Sequence, residues 1–360
     1  MKRIGILTGG GDAPGLNAVI RAAVKTALND YGCEALGIRN GYDGFLEEDG
    51  IISLGREEVR GILPRGGTIL GAANRGNPYA RKVIRDGVEV TIDVSDQIVK
   101  GIEKQKMDAL LVLGGDGTLH IAHELARKGV PVIGVPKTID NDIGGTEITF
   151  GFDTALNIAT EALDRLHTTA ESHHRAMVIE LMGRDAGFIA LNAGVSGGAD
   201  VILIPEIPFK FESVMAKIRF RAERGRKFSL LAVSEGAKPQ GGAQVYSRKG
   251  DEVYVPRLGG IGQVVAEYID GQGFESRVTV LGHLQRGGTP TAFDRWLATR
   301  YGAAAVRLAA RGGFDRMVAL QCGEITDIPL EEATAVPKRV NLNGDSVITA
   351  RNIGISFGDE

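Results

Sequence analysis

The sequence RIGILTGGGDAPGLNAVIRAAVKTAL, residues 3–28, decides the fold class of this chain. Its opening run Arg3–Leu7 is short and mostly apolar, which predicts a buried strand. Gly9–Gly15 predicts a loop, and from Leu16 onward apolar residues recur at the three- and four-residue spacing of a helix. A strand, a glycine-rich loop and a helix in this order are the unit from which helix-covered parallel sheets are built.

The same succession returns further along the chain. Ala109–Leu113 predicts a second buried strand, Gly114–Thr118 a loop, and the residues up to about Arg127 a helix. Other short apolar runs predict strands at Pro131–Val135, Ala176–Leu181, Val201–Ile204, Leu230–Val233 and Val278–Leu281. We therefore predict an α/β fold with mainly parallel sheets flanked by helices, in which ligands bind where loops leave the carboxyl ends of the strands.

Composition narrows the class of protein further. A chain of 360 residues is expected to form about two domains. The net charge of -3 gives the chain no global basic field to attract nucleic acid or anionic lipid, so we expect neither a nucleic acid nor a membrane as partner. Two cysteines, Cys33 and Cys322, are too few for a disulfide framework or a zinc cluster, which favours a reducing, cytoplasmic location.

The loop Gly9–Gly15 is suited to binding an anion. Glycines let backbone N–H groups approach a ligand closely, and the helix that follows adds partial positive charge at its N-terminus. Pro14 stands where a dinucleotide fingerprint needs glycine, and no Gly-Lys-Ser/Thr follows as in a Walker A loop. For this loop alone, a tight turn without a ligand remains the alternative.

Two later loops carry carboxylates. Asp116, within Gly114–Thr118, is placed to hold Mg²⁺ beside a phosphate, and its structural alternative is a helix N-cap. Pro136–Asp142 contains Asp140, a candidate base for a hydroxyl that attacks a phosphoryl group, and Asp142, which could orient that base. The alternative for this loop is an Asx-turn.

Arginines stand at several predicted strand ends. They are Arg175, Arg184, Arg277 and Arg286. Arginine binds a phosphate monoester in a bidentate manner, although any one of these residues could equally form a surface ion pair. As a set they favour a sugar phosphate or another small phosphorylated acceptor.

His120 and His123 share a helix face, but no third ligand follows at a suitable spacing, so we predict no metal site there.

Five motifs carry a family resemblance when they are taken together and in order. They are GGGDAPGLNAVIR at Gly9–Arg21, GGDGT at Gly114–Thr118, PKTIDND at Pro136–Asp142, MGRDAG at Met182–Gly187 and GHLQRGGTPTAFDR at Gly282–Arg295. From Arg3 to about Arg311 the chain resembles 6-phosphofructokinases, specifically the longer bacterial group that mixes ATP-type and pyrophosphate-type motifs. NAD kinases and lipid kinases share GGDGT but do not explain PKTIDND or GHLQRGG.

The resemblance implies an activity and an architecture. The family transfers the terminal phosphoryl group of ATP to the 1-hydroxyl of fructose 6-phosphate with Mg²⁺, giving fructose 1,6-bisphosphate in glycolysis. It implies a donor-binding domain at residues 1–151 plus about 285–335, and a sugar-phosphate domain at 152–284 plus 336–360, with the active site in the cleft between them. It also implies a homotetramer or homodimer in which Arg175 and Arg277 are supplied across the interface.

The resemblance also assigns roles to residues. Those implied to hold ATP are Gly11, Arg75, Gly115, Asp116, Gly117 and Thr118, with Asp116 also holding the metal. Asp140 is implied to be the catalytic base, Asp142 its partner, and Arg184 the cation that offsets transition-state charge. Those implied to bind the sugar phosphate are Thr138, Ile139, Asp140, Arg175, Met182, Gly183, Arg184, Glu235, Arg277, His283 and Arg286.

Two residues give opposite indications about the donor. Glycine at position 117 leaves space for the inner phosphate of ATP, where pyrophosphate users of the family carry aspartate. Lys137 is usual in pyrophosphate users, whereas ATP-type members commonly have glycine there. We favour ATP, because an absent side chain admits a nucleotide while a lysine need not exclude one. A reversible, pyrophosphate-dependent fructose 6-phosphate 1-phosphotransferase is the alternative.

Other departures from the family pattern leave questions open. The stretch 72–76 carries one extra residue beside Arg75, and Lys238–Gly262 is absent from the short bacterial enzymes. Basic effector-site positions of the allosteric members are matched by Arg21, Arg224 and Arg226, but Lys25 replaces an arginine. The sequence also leaves open a different sugar phosphate as acceptor, or a non-catalytic sugar-phosphate sensor, although the sensor predicts lost carboxylates.

Overall fold

The computed structural model describes residues 1–72, 76–85, 87–248 and 257–360. Within these ranges the chain forms two compact units. Unit 1 comprises Met1–Ile139, Ile143–Thr154 and Arg286–Pro337. Unit 2 comprises Asp140–Asp142, Ala155–Gln285 and Lys338–Glu360.

Strands and helices alternate along much of the chain. The strands are β1 (Arg3–Thr8), β2 (Glu34–Ile38), β3 (Ile51–Ser53), β4 (Arg81–Arg85), β5 (Val88–Ile92), β6 (Ala109–Gly114), β7 (Val132–Pro136), β8 (Ala176–Leu181), β9 (Val201–Leu203), β10 (Ser229–Ser234), β11 (Tyr246–Arg248), β12 (Arg257–Leu258), β13 (Ser276–Val280), β14 (Arg316–Gln321) and β15 (Glu324–Pro329). The α-helices are α1 (Leu16–Asp30), α2 (Ser95–Lys104), α3 (Asp116–Arg127), α4 (Phe152–His173), α5 (Phe188–Ser196), α6 (Phe211–Glu223), α7 (Ile261–Gly271), α8 (Ala292–Ala310), α9 (Leu330–Ala335) and α10 (Asp345–Asn352). Short 3-10 helices lie at Gly41–Phe45, Pro78–Ala80 and Gly282–Arg286.

Unit 1 is built on a sheet whose described strands follow the order β15-β14-β7-β6-β1-β2-β3. The inner strands are parallel, while β3 and β15 pair antiparallel at the two edges. Every residue of β6 is buried, as expected for a central strand covered on both faces. Helix α1 packs on α8, and Gly302 permits the close approach because a Cβ there would lie 2.5 Å from the carbonyl oxygen of Val19.

Unit 2 has a smaller parallel sheet with the order β13-β8-β10-β9 in its described residues. Strands β8 and β10 are buried along their whole length. Val178 and Leu231 of these strands pack with Val265 of α7 in one hydrophobic cluster. The carboxyl ends of β8, β10 and β13 are therefore neighbours, and the loops that follow them leave from one edge of the sheet.

The predicted α/β class with mainly parallel sheets is confirmed. The antiparallel edge strands β3 and β15 and the hairpin of β4 with β5 were not predicted, because the direction of strand pairing is a tertiary property. The donor and sugar-phosphate roles given to the two predicted domains stay predictions. No helix in the described ranges is long and apolar enough to span a membrane.

Candidate active site

In unit 1, three segments meet where β1, β6 and β7 end. The backbone N–H of Gly9 donates to the carbonyl of Leu113 at 2.9 Å, and the N–H of Lys137 donates to the carbonyl of Gly114 at 3.0 Å. The Nζ of Lys137 donates to the carbonyl of Gly11 at 2.5 Å. The structure therefore brings the predicted donor residues Gly11 and Gly115 together with Lys137.

Two of the glycines in these loops make room for Thr118. A Cβ at Gly9 would lie 2.4 Å from Cγ2 of Thr118, and one at Gly114 would lie 2.3 Å from its Cβ. The Thr118 side chain is buried between the two loops, and its carbonyl accepts a hydrogen bond from the hydroxyl of Tyr42 at 3.0 Å. Gly9 and Gly114 are thus required by packing within the protein.

Gly117 has different surroundings. A Cβ at this position would meet no atom within 4 Å, so the space in front of it is open. Gly117 lies in the first turn of α3, where helix N–H groups favour a negatively charged ligand. The protein therefore leaves the position in front of Gly117 open.

Asp116 opens α3 and faces solvent. The protein packed behind it still raises the pKa of its carboxyl by desolvation, an effect that nearby His120 opposes. His123, the other histidine of this helix, bonds through Nδ1 to Asp315 at 2.9 Å. Within the described ranges, no group of three or more His, Cys, Asp or Glu side chains is arranged to hold a metal.

Arg286 also belongs to unit 1, in which it lies beside the first glycine loop. Its guanidinium donates to the carbonyl of Asp12 at 3.2 Å. Two residues further on, Gly288 contacts Gly66 so closely that a Cβ on Gly66 would lie 2.1 Å from the Gly288 carbonyl oxygen. Backbone contact therefore fixes the segment that carries Arg286.

In unit 2, backbone contacts join the loops after β8 and β10. The hydroxyl of Ser234 donates to the carbonyl of Gly183 at 2.5 Å, and the N–H of Gly236 donates to the same carbonyl at 3.1 Å. A Cβ at Gly236 would lie 1.9 Å from the carbonyl oxygen of Arg184. These contacts bring the predicted sugar-phosphate residues Met182–Arg184 next to Glu235, while the Arg184 side chain remains mostly exposed.

His283 follows the third of these strands. The N–H of Leu281 donates to the carbonyl of Glu180 at 3.1 Å, which keeps the end of β13 beside β8. His283 is exposed in the 3-10 helix that comes next. It therefore lies at the same edge of the sheet as Met182–Arg184.

Arg175 and Arg277 lie at the opposite, amino ends of β8 and β13. Both guanidinium groups contact Glu275, at 2.9 Å from Arg175 and 2.6 Å from Arg277. The hydrogen bond from Arg175 is the main cause that lowers the pKa of Glu275. Since β8 has six residues, roughly 20 Å of strand separates this pair from Met182–Arg184 within one chain.

The loop after β7 crosses from unit 1 into unit 2. Thr138 and Ile139 belong to unit 1, where Ile139 is completely buried. Asp140 and Asp142 belong to unit 2, and one carboxylate oxygen of Asp140, Oδ1, is buried. The predicted donor contact Arg75 lies outside the described residues.

Two contacts of these loops were missed from the sequence. Tyr42 supports the GGDGT loop from 76 positions away, and Lys338 contacts the loop at Asp140–Asp142 from nearly 200 positions away. No periodicity or motif connects such distant residues. Neither the segment around Tyr42 nor the segment around Lys338 carries a motif that the sequence analysis singled out.

Comparison with known proteins gives consistent matches. A family model described as phosphofructokinase matches residues 3–309. The chain is 53% identical, over all of its length and 98% of the relative, to an ATP-dependent 6-phosphofructokinase of Chloroflexus aurantiacus. It is 50% identical, over 99% of its length and all of the relative, to a pyrophosphate–fructose 6-phosphate 1-phosphotransferase of Streptomyces coelicolor.

A solved structure agrees in fold. The pyrophosphate-dependent phosphofructokinase of Nitrosospira multiformis superposes with a TM-score of 0.81. The match covers all of this chain and 93% of that one, at 20% sequence identity. At this level of identity the likeness concerns the fold alone.

Proposed function

Because the chain belongs to the phosphofructokinase family, we propose that it transfers the terminal phosphoryl group of ATP to the 1-hydroxyl of fructose 6-phosphate. Full-length relatives at about half identity that carry the name ATP-dependent 6-phosphofructokinase support this reading. The observation that carries the choice of donor is the open space in front of Gly117, at the head of α3.

Unit 1 would bind the donor. The backbone N–H groups near Gly11 and Gly115, together with the N-terminus of α3, would face the phosphates. Gly117 would admit the inner phosphates of ATP, and Lys137, buried with its Nζ on the carbonyl of Gly11, would add positive charge without filling that space. Arg75 is proposed as a further donor contact on the family pattern alone.

The residues present fit a magnesium ion. Mg²⁺ is typically held by one or two carboxylates together with phosphate oxygens, and Asp116 offers one exposed carboxylate beside the glycine loops. Asp116 would therefore hold the ion. When bound, Mg²⁺ would offset the negative charge of the phosphates.

Residues of unit 2, together with Thr138, Ile139 and Arg286 of unit 1, would supply the acceptor side of the reaction. Asp140 would take the proton of the 1-hydroxyl, with Asp142 orienting it, and Arg184 would offset charge on the moving phosphoryl group. The proposed sugar-phosphate contacts are Thr138, Ile139, Met182, Gly183, Glu235, His283 and Arg286. Arg184 and Glu235 lie on loops that backbone hydrogen bonds hold together, which supports a preorganised pocket.

We propose a homotetramer or homodimer with shared sites. Arg175 and Arg277 lie at the amino ends of their strands, roughly 20 Å of strand from Met182–Arg184. One small sugar phosphate cannot contact both sets within a single chain. Supply of these two arginines by a neighbouring copy would account for their position.

The donor is tested by parallel assays of fructose 6-phosphate phosphorylation with MgATP and with magnesium pyrophosphate. We expect turnover with ATP, and a rate seen only with pyrophosphate would overturn the choice of donor.

The role of Asp140 is tested by Asp140→Asn, which should lose activity on the order of 10³-fold as a general base is removed. Asp164→Asn, an exposed carboxylate of α4 without an assigned role, is the matched control.

One observation favours pyrophosphate as the second candidate. Lys137, the residue type usual in pyrophosphate users, is buried among the donor loops, and a pyrophosphate-dependent relative is 50% identical over nearly the whole chain. Lys137→Gly separates the two readings. An ATP-dependent enzyme should keep its donor preference in this variant, whereas a pyrophosphate-dependent one should lose its pyrophosphate activity.

A further inference from the structure

The C-terminal segment contacts the loop that carries the proposed base. Within unit 2, the backbone N–H of Lys338 donates to the carbonyl of Asp142 at 2.8 Å. The side-chain Nζ of the same residue donates to Oδ1 of Asn141 at 2.9 Å. Lys338 therefore binds two consecutive residues of the segment Asp140–Asp142 through two independent hydrogen bonds.

Asn141 is the residue of this loop that most needs support. Its φ of 54° is in the left-handed region, which non-glycine residues adopt at an energetic cost. Its side chain is buried, so its amide requires hydrogen-bond partners inside the protein. Asn141 connects Asp140 to Asp142. Holding the Asn141 side chain in place therefore also restrains the backbone that positions the carboxylates of Asp140 and Asp142.

Lys338 is itself held in place by contacts with a second functional loop. Its Nζ lies 5.3 Å from the ring centroid of Phe188, the first residue of α5. Two residues further on, the N–H of Val340 donates to the carboxylate of Glu206 at 2.9 Å. Glu206 also accepts the N–H of Gly187 at 3.0 Å, and Gly187 is the last residue of the MGRDAG motif.

We propose that Lys338 is a positioning residue for phosphoryl transfer. It fixes Asn141 so that the carboxylate of Asp140 is presented to the acceptor hydroxyl, and it couples this loop to the motif that contains Arg184. The inference rests on the proposed function, in which Asp140 is the base. Lys338 contacts neither substrate in this proposal and acts through Asn141.

The test compares Lys338→Met with a matched variant, Lys217→Met. Lys217 also donates to a carbonyl of the C-terminal segment, that of Gly354, and its Nζ lies 5.5 Å from the Phe220 ring centroid. It differs in that these contacts join α6 to Gly354 and not to the segment Asp140–Asp142. We expect kcat to fall about 10²-fold in Lys338→Met, the scale of a 1 Å misplacement, with an unchanged KM for ATP and full activity in Lys217→Met.

Two readouts separate positioning from general stabilisation. The acid limb of the kcat–pH profile should move to higher pH in Lys338→Met, because the variant removes a positive charge beside the loop. Asn141→Gly tolerates the left-handed backbone but lacks the side-chain amide that Lys338 binds. The double variant Lys338→Met/Asn141→Gly should therefore lose no more activity than the more affected of the two single variants. Lys338→Arg, which keeps the charge and a donor, should recover part of kcat.

The outcomes are distinguishable. A wild-type chain without turnover overturns the proposed function, and the inference with it. An active wild type whose Lys338→Met variant matches Lys217→Met in kcat and pH profile overturns the inference alone, as does strict additivity in the double variant. If Lys338→Met does not fold, Lys338→Arg and Asn141→Gly replace it, and normal kcat in both overturns the inference.

Discussion

Gly114 and Gly117 belong to one motif, yet the structure around the two positions differs. On the packed side, formed by Gly9, Gly114 and Thr118, an added Cβ would overlap a buried side chain at 2.4 Å or less. On the open side, at Gly117, an added Cβ would meet nothing within 4 Å. The first set of glycines is needed by the fold, whereas the glycine at 117 leaves space that we propose the donor fills.

The sharpest test of this comparison is Gly117→Asp. We expect activity with ATP to fall on the order of 10³-fold, because a carboxylate would fill the open side and repel the inner phosphates by several kcal/mol. Folding should be preserved, since aspartate in the first turn of a helix is favourable. Activity with both donors and the thermal unfolding midpoint are the measurements.

Gly117→Ala is the control for Gly117→Asp, because it adds a Cβ to the open side without charge or length. It should retain most of the activity with ATP. An Asp variant that phosphorylates fructose 6-phosphate from ATP at the wild-type rate would show that the open side does not receive the nucleotide.

Much of the fold could be predicted because short stretches of the sequence determine its strands, loops and helices. The strand, glycine loop and helix of β1–α1 and of β6–α3 follow from hydrophobic periodicity and glycine placement, and the family resemblance carried by the motifs is confirmed. The strands β3, β14 and β15 were missed, since nothing local records which neighbour a strand joins or in which direction.

The site was predictable only in part, for a related reason. The motif GGDGT identifies a loop but does not distinguish a glycine that accommodates Thr118 from one that faces open space. The contact of Lys338 with Asn141 joins residues 197 positions apart, and it depends on how the last residues return to unit 2. Such contacts are set by tertiary packing, which hydrophobic periodicity does not record.

A second test extends the comparison from glycines to carboxylates. We expect the fold to need Asp294, whereas we propose Asp140 as the catalytic base. Asp294 accepts hydrogen bonds from the N–H groups of Gly151 and Thr154 and from the Thr154 hydroxyl, at the start of α4. Its burial outweighs these bonds and raises its pKa from 3.8 to about 6. A folded state that binds the proton more tightly than the unfolded state loses stability as pH rises through this range.

Asp294→Asn should remove that pH dependence. At 1.36 kcal/mol per pKa unit, the wild type should lose about 2.4 kcal/mol from this group between pH 4 and pH 7, and the variant should not. Urea unfolding of both proteins across this range, at one fixed protein concentration, measures the difference. Equal pH dependence in the two proteins would show that Asp294 titrates normally.

The smallest effect is expected on the packed side, for Gly9→Ala. The new Cβ would lie 2.4 Å from Cγ2 and 2.8 Å from Oγ1 of Thr118, and relieving that overlap should cost about 2 kcal/mol of stability. Thr118→Ala removes both atoms and leaves only the Thr118 Cβ, at 3.2 Å, so the double variant should regain most of the lost stability. Urea unfolding of the two single variants and the double variant measures this, with stability as the readout because Thr118 is also a proposed donor contact. Additive losses would mean that Gly9 is required by something other than the Thr118 side chain, and the division between packed and open glycines would then be wrong at this position.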